Sequence, residues 1–149
     1  LPRRFELYYI DANGEKKTPV VIHRALLGSL DRFIALLLEE TKGALPLWLA
    51  PVGINIIPVN KEYHLEYATS IYEMLKDANY RVELDDSDEK LSYKMRESQI
   101  RKIPITLILG QKEADEKTIS FRLFGSTETT TMSIEEFKKY IENLIVNKK

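Results

Sequence analysis

Only a few residues of this sequence combine a reactive type with a suggestive setting: His23, the Ser29–Arg32 pair, and a basic stretch built around Tyr93. His23 stands between Ile22 and Arg24 on an apolar stretch. An imidazole there most commonly is a hydrogen-bonded histidine of the core. His64 lies early in an amphipathic run and reads as a surface or boundary residue. Arg32 falls in the first turn of a helical pattern that follows Gly28-Ser29. A helix N-terminus presents free N–H groups and positive potential, and an added guanidinium makes a phosphate site. An ion pair with Asp31 or a nearby glutamate is the alternative reading.

Lys90, Lys94, Arg96, Arg101 and Lys102 form the densest basic stretch, opposed within it only by Glu97. Tyr93 sits among them, and a ring beside cations is what stacking on an unpaired base requires. A solvated basic helix face is the commoner meaning of such a run. The preceding acidic stretch, Glu83, Asp85, Asp86, Asp88 and Glu89, would repel a phosphate backbone but can accept hydrogen bonds from base edges.

Composition limits the other options. The 149 residues suit about one domain, and 44% apolar content is enough for a core of ordinary size. A net charge of −1 gives no global attraction to nucleic acid or membrane, so any RNA contact must be local. There are no cysteines, which excludes disulfides and cysteine-bound zinc and fits a reducing compartment. No apolar run approaches the ~20 residues that cross a bilayer. The start, Leu1-Pro2-Arg3-Arg4, has neither an initiator Met nor an apolar signal core, the beginning expected of a cut through something larger.

The elements that must position these residues follow from periodicity. Arg4 to Ile10 and Thr18 to Ala25 read as two strands of a hairpin around Asp11-Ala12-Asn13-Gly14. A helix follows, with Ser29 as N-cap and Gly43 as its stop. Ala44 to Pro51, with two prolines and Trp48, loses all period and marks a domain boundary, giving units 1–43 and 44–149. Beyond it the pattern alternates: strand Ile54 to Val59, helix Lys61 to Ala78, strand Tyr80 to Leu84, helix Glu89 to Lys102, strand Ile103 to Leu109. The strand from Ile119 to Phe124 follows its predecessor without a helix between them, so it should run antiparallel. Ser133-Ile134-Glu135-Glu136 is a capping box that opens a last helix to about residue 147, with Lys148 and Lys149 fraying. The expected fold is α/β: a mixed, mostly parallel sheet covered by three helices, preceded by a hairpin and a helix. The turn Pro58-Val59-Asn60-Lys61-Glu62 contains no glycine, which argues against a dinucleotide site there. With only two histidines, no serine–histidine–aspartate arrangement is expected.

Taken together, these stretches resemble the threonyl-tRNA synthetase family of class II aminoacyl-tRNA synthetases. Val20-Val21-Ile22-His23-Arg24-Ala25-Leu26-Leu27-Gly28-Ser29-Leu30-Asp31-Arg32-Phe33 is similar to the family's motif 3. Pro46-Leu47-Trp48-Leu49-Ala50-Pro51-Val52 resembles its entry into the anticodon-binding domain. Asp88-Glu89-Lys90-Leu91-Ser92-Tyr93-Lys94-Met95-Arg96-Glu97, Lys102-Ile103-Pro104 and Gly110-Gln111-Lys112-Glu113 follow in the family's order. The resemblance covers essentially the whole chain. Its second half is also related to prolyl-, glycyl- and histidyl-tRNA synthetases, and a non-catalytic protein with an anticodon-domain-like fold is a further alternative.

The resemblance implies roles residue by residue. His23 matches a zinc ligand whose partners lie outside this chain; the family's zinc holds the threonine amino and hydroxyl groups, which separates threonine from isosteric valine. Arg32 matches the motif 3 arginine on ATP, and Ser29 a contact to the aminoacyl part. Asp88, Arg96, Glu113 and Arg122 match anticodon-reading positions, with Lys90 and Lys94 as candidates for the RNA backbone. Arg122 would offer its guanidinium fork to guanine O6 and N7, and Glu113 would accept from the same base's N1–H and N2–H₂. The family more often has Asn at the position of Asp88 and commonly Arg at that of Ser87; both departures make this edge more negative. The implied partners are threonine tRNA through its anticodon stem-loop and, for the full-length enzyme, threonine, ATP with magnesium, zinc and a second subunit. The implied location is cytoplasmic, with no membrane association.

The isolated chain is expected to give no threonine-dependent ATP–pyrophosphate exchange and to hold no zinc tightly, because one neutral imidazole is far short of the usual three or four protein ligands. Stoichiometric zinc by elemental analysis of the purified chain, or measurable exchange, would contradict this.

Overall fold

The computed structural model describes residues 1–148, so Lys149 and its expected fraying lie outside the described residues. Backbone contacts group the chain as Leu1–Leu36 and Leu37–Lys149, a boundary that runs through the helix α1, Leu30–Glu40.

In the first group the turn forms as its residues dictate. Asp11 Oδ1 accepts from the Asn13 and Glu15 amides at 2.8 and 3.0 Å, Lys17 pairs with the same carboxylate, and Gly14 takes φ +80°. The strands are shorter than their alternation predicts. Only β1 (Tyr9–Ile10) and β2 (Lys16–Lys17) pair, antiparallel, with Tyr9 opposite Lys17. Thr18 to Ala25 forms no strand, and Val20 and Ile22 are 90% and 87% exposed. An alternating strand needs a partner edge and an apolar cover for one face, and none of the described residues supplies either. Ser29 Oγ accepts from the Arg32 amide at 3.3 Å at the start of α1. Lys42 and Gly43, at φ 52° and 75°, end it, with Gly43 N–H bonded to the Leu38 carbonyl.

The second group holds β3 (Ile54–Pro58), α2 (Lys61–Asp77), β4 (Val82–Leu84), α3 (Leu91–Ile100), β5 (Ile105–Leu109), α4 (Gln111–Glu116), β6 (Thr118–Leu123), β7 (Thr130–Ser133) and α5 (Ile134–Val146). The sheet order is β4-β3-β5-β6-β7. The two pairings made by β3 are parallel; those of β6, with β5 and with β7, are antiparallel, so the parallel share is half rather than most. Two elements carried no sequence signal. The six residues of α4 are mostly charged and too short for an apolar period, and they turn the chain back so that β6 runs antiparallel. In β7, a threonine-rich edge strand, the only apolar residue is Met132. Among the described residues no helix is long and apolar enough to cross a membrane.

Register gives the sheet two different faces. One carries Ile54, Ile56, Ile105, Leu107, Ile119 and Phe121, and it forms a single buried cluster with Ala68, Ile71 and Leu75 of α2 and Phe137 and Ile141 of α5. Phe121 and Phe137 meet tilted, 5.3 Å between centroids; burying each such side chain contributes about 1.5–3 kcal/mol. The other face carries a cross-strand row of polar residues, Glu83, Asn55, Thr106 and Arg122. The α3 helix lies over this face, with Ser98 and Thr106 hydroxyls 2.6 Å apart and buried. The segment Ala44 to Pro51 is not a loose connection: Leu47 and Ala50 are buried, and Arg81 Nη2 donates to the Leu47 and Trp48 carbonyls.

Arg101, capping the C-terminus of α3, makes a two-pronged pair with Glu83 of β4 at 2.7 and 2.6 Å. The guanidinium's hydrogen bond, working against burial, holds the Glu83 carboxyl below the usual carboxylate range. A depressed folded-state pKa adds stability above the unfolded value, lost as pH falls through the folded one. The Tm gap between wild type and Glu83→Gln should therefore be open at neutral pH and close on acidification below the usual carboxylate range; a gap independent of pH would refute the pairing. Both groups are well exposed, so the gap is expected to be small.

Candidate nucleic-acid interface

Asp88, Lys90, Lys94 and Glu113 fall around the carboxyl ends of β3, β4 and β5, whereas Arg122 pairs with Thr106 near the amino end of β5. The chain leaving β3 turns into α2 on the apolar face, whereas the chain leaving β4 turns into α3 on the polar face. Two loops that part to opposite faces leave a crevice between them, the usual ligand position of an open α/β sheet. Pro58, Val59, Asn60, Lys61 and Glu62 line it on one side; Ser87, Asp88, Glu89 and Lys94 line it on the other. The crevice is polar and rich in acceptors. Asn60 caps α2 through Oδ1, which accepts from the Glu62 amide at 2.8 Å. His64, read from sequence as a boundary residue, is buried, and its Nδ1 accepts from the Asn60 amide at 3.2 Å.

Asp88 and Lys90 are both exposed on the loop from β4 to α3. Asp85 anchors that loop. Its amide donates to the Ile56 carbonyl at 2.9 Å, and its Oδ1 accepts from the Ser87 amide and hydroxyl at 3.1 and 2.5 Å. Lys94 lies differently from its expected place on the RNA backbone. The side chain is 3% exposed, and Nζ donates to the Asp85 carbonyl at 2.9 Å, with Asp85 Oδ1 at 3.6 Å. Helical spacing explains this correction: Lys94 and Ser98, four apart, both face the sheet, while Tyr93 and Arg96 face outward. Tyr93 is 51% exposed.

Glu113 is tied to β6 through Ser120, and Arg122 stands on the same strand. Ser120 and Arg122, two apart, lie on the same polar face. The Ser120 hydroxyl donates to Glu113 Oε1 at 2.6 Å and also meets Thr131 Oγ1 at 2.7 Å. Glu113 Oε2 accepts from the Gly110 amide at 2.9 Å, closing the first turn of α4. Burial raises the Glu113 pKa, but the bonds from Ser120 and Gly110 outweigh it and keep the carboxyl below its ordinary value. Both oxygens therefore already have internal donors. Gly110 is tightly placed, since a Cβ there would meet Glu113 Oε2 at 3.2 Å and Val59 Cγ2 at 3.3 Å. Val59 thus joins the Glu113 corner to the Asp88 crevice.

Arg122 is half-buried. Its Nη2 donates to Thr129 Oγ1 at 3.0 Å, and its Nε is buried with no hydrogen-bond partner. The end of the guanidinium is what remains for a ligand. Asp85, Ser120 and Thr129, which hold the candidate residues in place, were not singled out from sequence for that role. The only signal for the last two is register, which becomes readable once β6 and β7 are paired.

The first group places its candidates less compactly. His23 is exposed, not buried as its apolar neighbours suggested, and lines an open cavity with Arg24, Leu26, Leu27 and Phe33. Arg32 is exposed and is not among the lining residues. Among the described residues no three histidines or carboxylates gather to hold a metal ion, and the donor set at His23, a single imidazole, does not fit zinc.

Comparison with known proteins adds independent findings. A family model described as an anticodon binding domain matches residues 54–144. The threonine–tRNA ligase of Halalkalibacterium halodurans is 46% identical over 141 residues, covering 95% of this chain and 22% of that protein. That of Oceanobacillus iheyensis is 46% identical over all 149 residues, 100% of this chain and 23% of that protein. That of Listeria monocytogenes is 49% identical over 137 residues, 92% of this chain and 21% of that protein. The chain thus spans about a fifth of the length of these relatives. A crystal structure of the RNA binding domain of threonyl-tRNA synthetase from Cryptosporidium parvum Iowa II superposes with a TM-score of 0.77 at 31% identity, covering 96% of this chain and 36% of that one.

The Ser120 hydroxyl is the first of the bonds that depress the Glu113 pKa. In Ser120→Ala, carboxyl-detected NMR titration should show Glu113 ionising at higher pH than in wild type. An unchanged titration would mean that the bond is not formed in solution.

Proposed function

The chain belongs to the anticodon-binding domain family and is the anticodon-binding region of a threonyl-tRNA synthetase, and on that premise we propose that it reads the anticodon of threonine tRNA with Arg122, Asp88 and Arg96. The observation that carries the proposal is Arg122. Its guanidinium is seated on β6 by burial of Nε and by Thr129, so its free end is pre-oriented at the edge of the polar face. The second and third anticodon bases of this tRNA are G and U. A guanidinium matches the paired O6 and N7 acceptors of guanine, the commonest specific base contact. Asp88, at the mouth of the crevice, can only accept, and base amino and imino groups can only donate to it. Arg96 faces solvent on α3 and can donate to a base edge, and Lys90, exposed beside the helix, suits phosphate. Glu113 takes a lesser part: its two oxygens hold Gly110 and Ser120, and only their remaining lone pairs are available for the guanine N1–H and N2–H₂.

The catalytic reading belongs to a longer protein. We assign to it the ATP-dependent activation of threonine and its transfer to tRNA, in a cytoplasmic homodimer, with Ser29 at the aminoacyl part, Arg32 at the ATP phosphates and His23 completing a zinc site with ligands from outside this chain. The identity to threonine–tRNA ligases that runs through residues 1–43 as well as the second group supports this over a free-standing anticodon-domain protein.

Binding of wild type and Arg122→Ala to stem-loops with G or A at the middle anticodon position tests the assignment. Wild type should prefer G, and Arg122→Ala should lose about 1–3 kcal/mol on the G loop alone. Equal wild-type binding to both loops, or full discrimination by Arg122→Ala, would refute it.

A further inference from the structure

We infer that Lys94 is a positioning residue for the crevice: from beneath α3 its ammonium holds the loop from Asp85 to Lys90, and so sets where Asp88 stands. The inference rests on the anticodon-binding reading above. A lysine on an RNA-binding helix ordinarily presents its charge to phosphate. This one is 3% exposed and donates at 2.9 Å to a backbone carbonyl, that of Asp85. The Asp85 carboxylate, 3.6 Å away, supplies the counter-charge that a buried ammonium requires.

Asp85 is the node of the loop. Its amide is bonded to β3 through the Ile56 carbonyl, its carbonyl to α3 through Lys94, and its carboxylate to Ser87, the residue before Asp88. The loop is therefore tied at one residue to the sheet, to the helix and to itself. Lys94 also lines the crevice opposite Asn60 and Lys61, so its stem forms part of the wall. Losing the ammonium frees the Asp85 carbonyl and leaves the carboxylate without its nearest cation, while the exposed cations Lys90 and Arg96 are untouched.

A phosphate contact and a loop anchor differ in two measurable ways. Each phosphate contact adds about one unit to the slope of log K against log salt, whereas an anchor adds none but protects the amides of Asp85 and Ser87 from hydrogen exchange. Lys94→Met should weaken stem-loop binding roughly tenfold, the scale of one lost charge-assisted hydrogen bond. It should keep the wild-type salt slope and accelerate exchange at Asp85 and Ser87. Lys90→Ala serves as the exposed control, with unchanged exchange at those amides. Lys94→Arg keeps the charge and tests the same point should the Met variant fold poorly. A phosphate contact survives that change with slope and affinity intact, while an anchor cut to lysine's shape loosens the loop. A salt slope reduced by about one with exchange unchanged in Lys94→Met, or an unaffected loop in Lys94→Arg, would overturn the proposal. If wild type binds no stem-loop, the anticodon-binding reading fails, and the exchange measurement alone still decides whether Lys94 holds the loop.

Discussion

The contact between Ser98 and Thr106, two buried hydroxyls 2.6 Å apart, is the interaction on which the placement of the candidate residues depends. It joins a helix to the middle of a sheet face that carries polar rather than apolar side chains, and each hydroxyl satisfies the other. A buried hydroxyl left alone costs about 1–3 kcal/mol, so α3 has few alternative seatings. With that contact made, the helical repeat decides the rest: Lys94 points inward one turn earlier, Tyr93 and Arg96 point outward, and Arg101 reaches Glu83 at the far end.

The polar face carries Arg122, the residue proposed to read a base. The opposite face is consumed by the core with α2 and α5 and has nothing to offer a ligand. On the polar side, the row from Glu83 through Asn55 and Thr106 to Arg122 runs under α3 and emerges beyond it. Beneath the helix Thr106 is paired with Ser98, while Asn55 Oδ1 is buried without a hydrogen-bond partner. At its open end, Arg122 is braced by Thr129 and carries a buried Nε without a partner. Arg122 is one of several polar groups that folding leaves over, with Asn55 Oδ1, Gln99 Nε2 and Thr118 Oγ1.

Much of the architecture was legible in the residues. The strands Ile54 to Val59 and Ile103 to Leu109 and the helices after Asn60 and Ser133 followed from period and capping chemistry, and the structure reproduces them within a few residues. Strand β6 runs antiparallel as expected, although the helix α4 lies before it where none was expected. Two short elements were not legible: α4 has too few turns to show a period, and β7 is polar because it lies at the sheet's edge. In the first group the β-branched residues of Thr18 to Ala25 read as a strand, yet no strand forms. Such a strand needs a paired edge and an apolar cover, and the described residues provide neither.

By itself the sequence determined the identities proposed to matter for recognition: an arginine at 122, carboxylates at 88 and 113, and cations along 90 to 102. Only the tertiary structure decided which of those charges remain free. Lys94 and Arg96 look equivalent along the chain, but one is inside and bonded to Asp85 while the other faces solvent. Glu113 reads as an open acceptor until Ser120 and Gly110 are seen to occupy its oxygens. The reason is that a residue's type states what bonds it can make, whereas the partners that use them up come from strands and loops distant in sequence, which meet only when the sheet has formed.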